Sequence, residues 1–172
     1  MDKDPLPRLR AAPLDDPLRI VLVEPEIPQN TGSVARLAVA TGCPLHLVGH
    51  LGFRIDEKSV RRAGLDYWPL VQLQLHADFE AFRRAVPGAR VRLLSAVAER
   101  SVFDVPFAPG DALVFGKESS GLPAELLAQW PDACFALPTV GPVRSLNLAS
   151  AVSVVVYEAL RGLGAFRRVS VR

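Results

Sequence analysis

Five short apolar runs recur along this chain, and their spacing constrains the fold more than any other feature. They are "RIVLVEP" from Arg19, "PLHLVGH" from Pro44, "VRLLSAV" from Val91, "DALVFGK" from Asp111 and "CFALP" from Cys134, with a weaker sixth at "LVQLQL" from Leu70. Each is too short for a helix, rich in β-branched or apolar residues and bounded by Gly, Pro or a charge, which predicts buried strands. Helical patterns lie between them: "GSVARLAVATG", capped by Asn30 or Thr31 and closed by Gly42, then "DEKSVRRAG", "DFEAFRRAVPG" and "PAELLAQW". Strand and helix alternate. The pattern predicts an α/β fold, a mostly parallel sheet with helices on both faces. Ligands of such sheets bind outside the carboxyl ends of the strands, so the loops of interest are "EPEIPQNTG", "SAVAERS", "FGKESSGLP" and "LPTVGPVRSLNL".

The stretch Val143 to Gly164, "VRSLNLASAVSVVVYEALRGLG", is too long for a strand and is stopped by Gly162 and Gly164. It predicts a buried helix with its first turn at Ser145 to Leu148. Arg144, Ser145 and Asn147 at its mouth are costly if merely buried. The unpaired N–H groups of a first helical turn instead suit a polar ligand group.

Composition narrows the class of protein. The 172 residues are 49% hydrophobic and 22% charged, enough for one folded domain, expected over residues 19–172. Residues 1–18 hold four prolines and mixed charge and read as a flexible leader without the apolar middle of a signal peptide. A net charge of +2 does not by itself indicate a nucleic-acid binder, although Arg-Arg pairs stand at Arg61–Arg62, Arg83–Arg84 and Arg167–Arg168. Cys43 and Cys134 lack metal or disulfide spacing, and the histidines His46, His50 and His76 are scattered. Free thiols, a cytoplasmic location, no metal and no membrane span are the expectations.

Individually the polar motifs are weak. Gly116 and Gly121 flank Glu118 in a turn that could offer N–H donors to a flat ligand or equally be ligand-free. Asn30 could simply cap its helix, with Arg36 a surface cation, and Tyr157 and Glu158 could be an amphipathic edge. No nucleophile elbow, dinucleotide fingerprint or phosphate loop is present.

Taken in order, "EPEIPQNTGSVARLAVATG", "RRAGLDYW", "VFGKESSGLP" and "LP…VRSLNLASAVSVVVYEALRGLG" resemble the motifs of the SpoU branch of the SPOUT RNA methyltransferases, over roughly Arg19 to Ala165. Within that branch the chain is most similar to the small members that methylate the wobble ribose of tRNA. Two positions depart from the motifs: Ser33 stands where Asn is common, and Ser120 where a basic residue is frequent.

The resemblance implies a C-terminal trefoil knot, a homodimer and the cofactor S-adenosylmethionine. It assigns cofactor binding to Leu94, Gly116, Gly121, Leu137, Ser145 and Leu146. Catalysis would rest on Arg36, Asn30, Glu118, Ser145 and Asn147, with Tyr157 at the RNA, at the dimer interface or in the core. The implied reaction is 2′-O-methylation of nucleotide 34, cytidine or modified uridine, in leucine tRNAs. Methylation of another tRNA position or of rRNA, or a non-catalytic RNA-binding or assembly role, are the alternatives.

Overall fold

All six apolar runs hydrogen-bond side by side into one sheet whose strands point the same way. In the computed structural model, residues 8–53, 67–167 and 169–171 are described. Their elements run β1 (Leu9–Ala11), β2 (Arg19–Val23), α1 (Pro28–Thr41), β3 (Leu45–Val48), β4 (Leu73–His76), α2 (Phe79–Ala85) and β5 (Val91–Leu94). They continue with β6 (Ala112–Phe115), α3 (Ala124–Gln129), β7 (Cys134–Phe135), α4 (Leu148–Gly162) and β8 (Val169–Val171). The predicted helix "DEKSVRRAG" and most of "RRAGLDYW" lie outside the described residues.

The sheet order is β4-β3-β2-β6-β5-β7. Alternate residues of each strand face opposite sides. Ile20, Leu22, Leu45, Leu47, Leu113 and Phe115 meet Val34, Ala35 and Ala38 of α1 and Val152, Val155, Val156 and Ala159 of α4. Those helical positions recur at three- and four-residue steps, one apolar stripe per helix. On the other face Val21, Val23, Val114 and Leu93 pack with Phe82 of α2 and Leu126 of α3. Helices cover both faces, as the alternation predicts.

Three differences from the sequence-based expectations have identifiable causes. Helix α1 starts at Pro28 with Ile27 as its N-cap, so Asn30 and Thr31 lie within the first turn, buried, instead of capping it. Proline at the first helical position has its φ preset and no N–H to leave unpaired, which favours that earlier start. Helix α4 begins at Leu148, three residues later than expected, because Asn147 accepts from the backbone N–H groups of Ala149 and Ser150 at 2.9 and 3.3 Å. This side-chain bond replaces the helical turn expected at Ser145. The leader also carries structure: Leu18 is fully buried, Leu14 packs on the core, and β1 pairs antiparallel with β8.

Candidate active site

Strand β2 has β3 on one side and β6 on the other. The connections leaving β2 and β6 therefore lie together at the carboxyl edge, where the direction of strand addition reverses and ligand crevices form. The β6 loop turns tightly: Gly121 adopts φ +73° and its N–H donates to the Lys117 carbonyl at 2.8 Å. A Cβ on Gly116 would lie 2.0 Å from the carbonyl carbon of Gly121, so the two strands of the turn touch only because Gly116 has none.

Six side chains lace the two loops. Glu118, half-buried, accepts through Oε2 from the Glu26 N–H at 2.8 Å, and through Oε1 from the Ile27 N–H at 3.2 Å and Asn30 Nδ2 at 2.9 Å. Ile27 has no side-chain acceptor for the start of α1, so a carboxylate 91 residues away in the chain serves that helix end. Reciprocally, Glu26 accepts from the Ser119 N–H and Oγ–H at 2.9 Å each, and these bonds hold its carboxyl below the usual range. Lys117 Nζ lies 2.7 Å from Glu24 Oε2, a pair that raises the lysine pKa.

The final helix joins the same network. Asn147 Nδ2 donates to Asn30 Oδ1 at 2.9 Å while its Oδ1 caps α4. A continuous chain thus runs from Glu118 through Asn30 to Asn147, tying the β6 loop, the start of α1 and the start of α4. Asn30, with only 7% exposed, has both ends of its amide satisfied across two other elements.

Of the other predicted residues, Arg36 is exposed, about 9 Å further along α1. Its guanidinium lies 5.6 Å from the Tyr67 ring centroid, and Tyr67 Oη donates to the Gly32 carbonyl at 2.9 Å. Arg36 makes no ion pair among the described residues. It stands outside the network of Glu118, Asn30 and Asn147, so its five donors are free for a bound anion. Ser145 is exposed and makes no hydrogen bond among the described residues. Tyr157 is 49% exposed and stacks on Phe166. Ser33 donates to the Gln29 carbonyl within its own helix, and Ser120 is exposed.

Glu26, Ser119 and Tyr67 are part of this arrangement and were given no role by sequence reasoning. The available signals were the charge of Glu26 within "EPE" and the place of Tyr67 in the motif "RRAGLDYW".

The residues assigned to S-adenosylmethionine suit a nucleoside-like ligand. Leu94 and Leu137 are half-buried apolar walls at the ends of β5 and β7, and nothing lies within 4 Å of the position a Gly121 Cβ would take. Residues 138–147 are exposed, and among the described residues none of their backbone N–H groups donates to a backbone carbonyl. An exposed loop of free donors beside apolar walls can hold a heterocycle and its polar edge. Among the described residues no group of His, Cys, Asp and Glu could hold a metal ion, and both cysteines are free thiols. No helix among them is long and apolar enough to cross a membrane.

A wholly parallel main sheet, a laced loop pair at its reversal point and a helix tied into that crevice by Asn147 define an α/β protein with a ligand crevice at the carboxyl edge of its strands. The chain belongs to the SpoU rRNA Methylase family, which matches residues 17–157. A relative from Acidovorax sp. (strain JS42), named tRNA (cytidine(34)-2′-O)-methyltransferase, is 50% identical over 145 residues, covering 83% of this chain and 90% of its own. A solved structure from work on 2-OH methylation of C/U34 on tRNA is 54% identical, with a TM-score of 0.80, 86% of this chain and 96% of that one covered. The AdoMet-bound rRNA methyltransferase of Sinorhizobium meliloti is 26% identical with a TM-score of 0.76, covering 90% of this chain and 62% of its own.

Proposed function

We propose that this chain methylates the ribose 2′-OH of nucleotide 34, cytidine or modified uridine, in leucine tRNAs, as a cytoplasmic homodimer using S-adenosylmethionine. The observation that carries this reading is the hydrogen-bonded chain from Glu118 through Asn30 to Asn147 at the sheet's reversal point. Relatives named for methylation at position 34 of tRNA supply the substrate class.

The cofactor supplies a methyl group already activated on a sulfonium. What remains for the protein is placement of a weakly acidic hydroxyl in line with it and a route for its proton. Arg36, exposed and free of ion pairs among the described residues, binds the phosphate next to the target ribose and so fixes the hydroxyl's direction. The guanidinium serves as a positioning cation and not as a base. Glu118, Asn30 and Asn147 hold the crevice rigid, while Leu94, Gly116, Gly121, Leu137, Ser145 and Leu146 form the cofactor site. The segment from β7 through α4 is threaded as the family's trefoil knot. Exposed Val154, Tyr157 and Phe166 on and beyond α4 supply apolar surface for a second subunit.

The test is methyl transfer from labelled S-adenosylmethionine to a panel of unmodified leucine tRNAs, other tRNAs and rRNA fragments, with the labelled nucleotide mapped. Label on the wobble ribose of leucine tRNA, reduced by about 100-fold or more in Arg36→Ala with cofactor affinity retained, is the expected result. Label on another nucleotide, or undiminished transfer by Arg36→Ala, overturns the substrate or the catalytic assignment respectively.

A further inference from the structure

The ribbon formed by β1 and β8 lies outside the residues matched by the family and has no part in the site described above. Its register pairs Leu9 with Val171, Arg10 with Ser170 and Ala11 with Val169. Paired residues share a face and neighbours along a strand alternate. Leu9, Ala11, Val169 and Val171 therefore form one side, and Arg10 and Ser170 the other.

Charge on this ribbon is one-sided. Residues 8–11 and 167–172 contain Arg8, Arg10, Arg167, Arg168 and Arg172 and no acidic residue. The whole chain has 20 basic and 18 acidic residues, so everywhere else acids outnumber bases. Arg8, Arg10 and Arg167 are exposed, and among the described residues none has an ion-pair or hydrogen-bond partner through its side chain. Several other arginines are committed, Arg19 to Asp16, Arg90 and Arg92 to Asp111, and Arg161 to Glu158, whereas Arg36, Arg84 and Arg144 are exposed and make no ion pair among the described residues. A polyanion approaching this molecule meets uncompensated positive charge at the ribbon as well as at Arg36 beside the site.

We propose that the terminal ribbon is a phosphate-binding arm that grips the RNA substrate away from the methylated nucleotide. The proposal rests on the reading of this protein as an RNA methyltransferase. Asn147 marks the site at the start of α4, a 15-residue helix about 22 Å long, and β8 of the ribbon follows the far end of that helix in the chain. Contacts from beyond the far end of α4 fall on phosphates other than the one beside the reacting ribose. They act equally on ground and transition states, so they set affinity and not the chemical step. Phosphate contacts carry no sequence information, so the arm strengthens binding without choosing the nucleotide.

The experiment compares the full-length protein with the triple variants Arg8→Ala/Arg10→Ala/Arg167→Ala and Arg8→Lys/Arg10→Lys/Arg167→Lys. It measures methyl-transfer KM and kcat on tRNA, RNA affinity from 50 to 200 mM salt, S-adenosylmethionine affinity and sedimentation. The expected result for the alanine variant is a KM raised about 10-fold, kcat within about two-fold, and a log K against log salt slope shallower by about 2. Cofactor affinity and oligomeric state stay unchanged, and the lysine variant recovers most of the loss. An unaltered KM and salt slope in an active protein overturns the arm alone, leaving the methyltransferase reading intact. Failure of the wild-type protein to methylate any RNA overturns the reading beneath it. A changed oligomeric state that tracks the loss makes the ribbon a subunit contact and overturns the proposal.

Discussion

At the scale of single residues, the decisive positions are those where one atom more or less changes what can touch. Gly116 is the clearest case, since an added Cβ falls 2.0 Å from the Gly121 carbonyl carbon and 2.1 Å from the Leu122 nitrogen. Both are backbone atoms of a turn and cannot swing aside as a side chain would. Gly116→Ala is therefore expected to lose about 3 kcal/mol or to open the turn and abolish cofactor binding. Gly121→Ala has room but a positive φ of 73°, for a cost of about 1–2 kcal/mol. Gly141→Ala, with neither crowding nor positive φ, should be near neutral. Urea unfolding of the three variants checks the order, and a Gly116→Ala protein as stable as Gly141→Ala contradicts it.

At the scale of elements, two helices enter the site with their first turns satisfied differently. Helix α1 begins on Pro28 after a capless Ile27 and relies on Glu118, whereas α4 carries its own cap in Asn147. Asn147 does two jobs, capping through Oδ1 and reaching Asn30 through Nδ2. Asn147→Ala loses both and is expected to cost about 1–2 kcal/mol. Asn147→Asp keeps a capping oxygen but sets an acceptor against Asn30 Oδ1. Thermal stability should be largely retained in the aspartate variant while methyl transfer falls about 10-fold or more, read by melting curves beside a single-turnover assay. Equal activity in the wild-type and aspartate proteins removes the Asn30 contact from the working site.

At the scale of the whole molecule, the sheet brings together two histidines that lie 30 residues apart. His46 on β3 is in register with Gln74 of β4 and lies diagonal to His76 on the same face, with Nδ1 of the first 3.0 Å from Nε2 of the second, and Phe82 of α2 sets its ring edge-on to both. His46 is 1% exposed, and its Nε2 has no hydrogen-bond partner among the described residues. Burial first, then the His76 and Arg19 charges, lowers its pKa to about 4, and burial lowers that of His76. The unfolded chain, with histidines near 6.5, then binds more protons than the native one between pH 4 and 6.5. Stability is full above pH 6.5 and falls as pH drops toward 4, by up to about 3 kcal/mol from His46. Denaturant midpoints across that window should show the fall, and His46→Gln should flatten it. A wild-type midpoint constant from pH 7 to 4 excludes the pair as its source.

The strand runs, the helices at Asp78 and Pro123, the Gly42 stop and the residue types of the site were legible from the linear chain. Period and punctuation are local properties that propensity and hydrophobic burial enforce within a few residues. Glu118, Asn30 and Asn147 were legible as members of ordered motifs, but not as one hydrogen-bonded chain. Their contacts span 88 and 117 residues, and only the order of strands in the sheet sets those distances. The same holds for the start of α1, where a carboxylate from the β6 loop replaces the cap expected at Asn30. It also holds for the terminal ribbon and the buried histidine pair, since pairing between remote strands leaves no trace in either strand alone. The sequence by itself determined which segments are strands and helices and which side chains could do chemistry. The tertiary structure alone decided which of them meet, because loop closure over a hundred residues depends on the whole core and not on any segment's own preference.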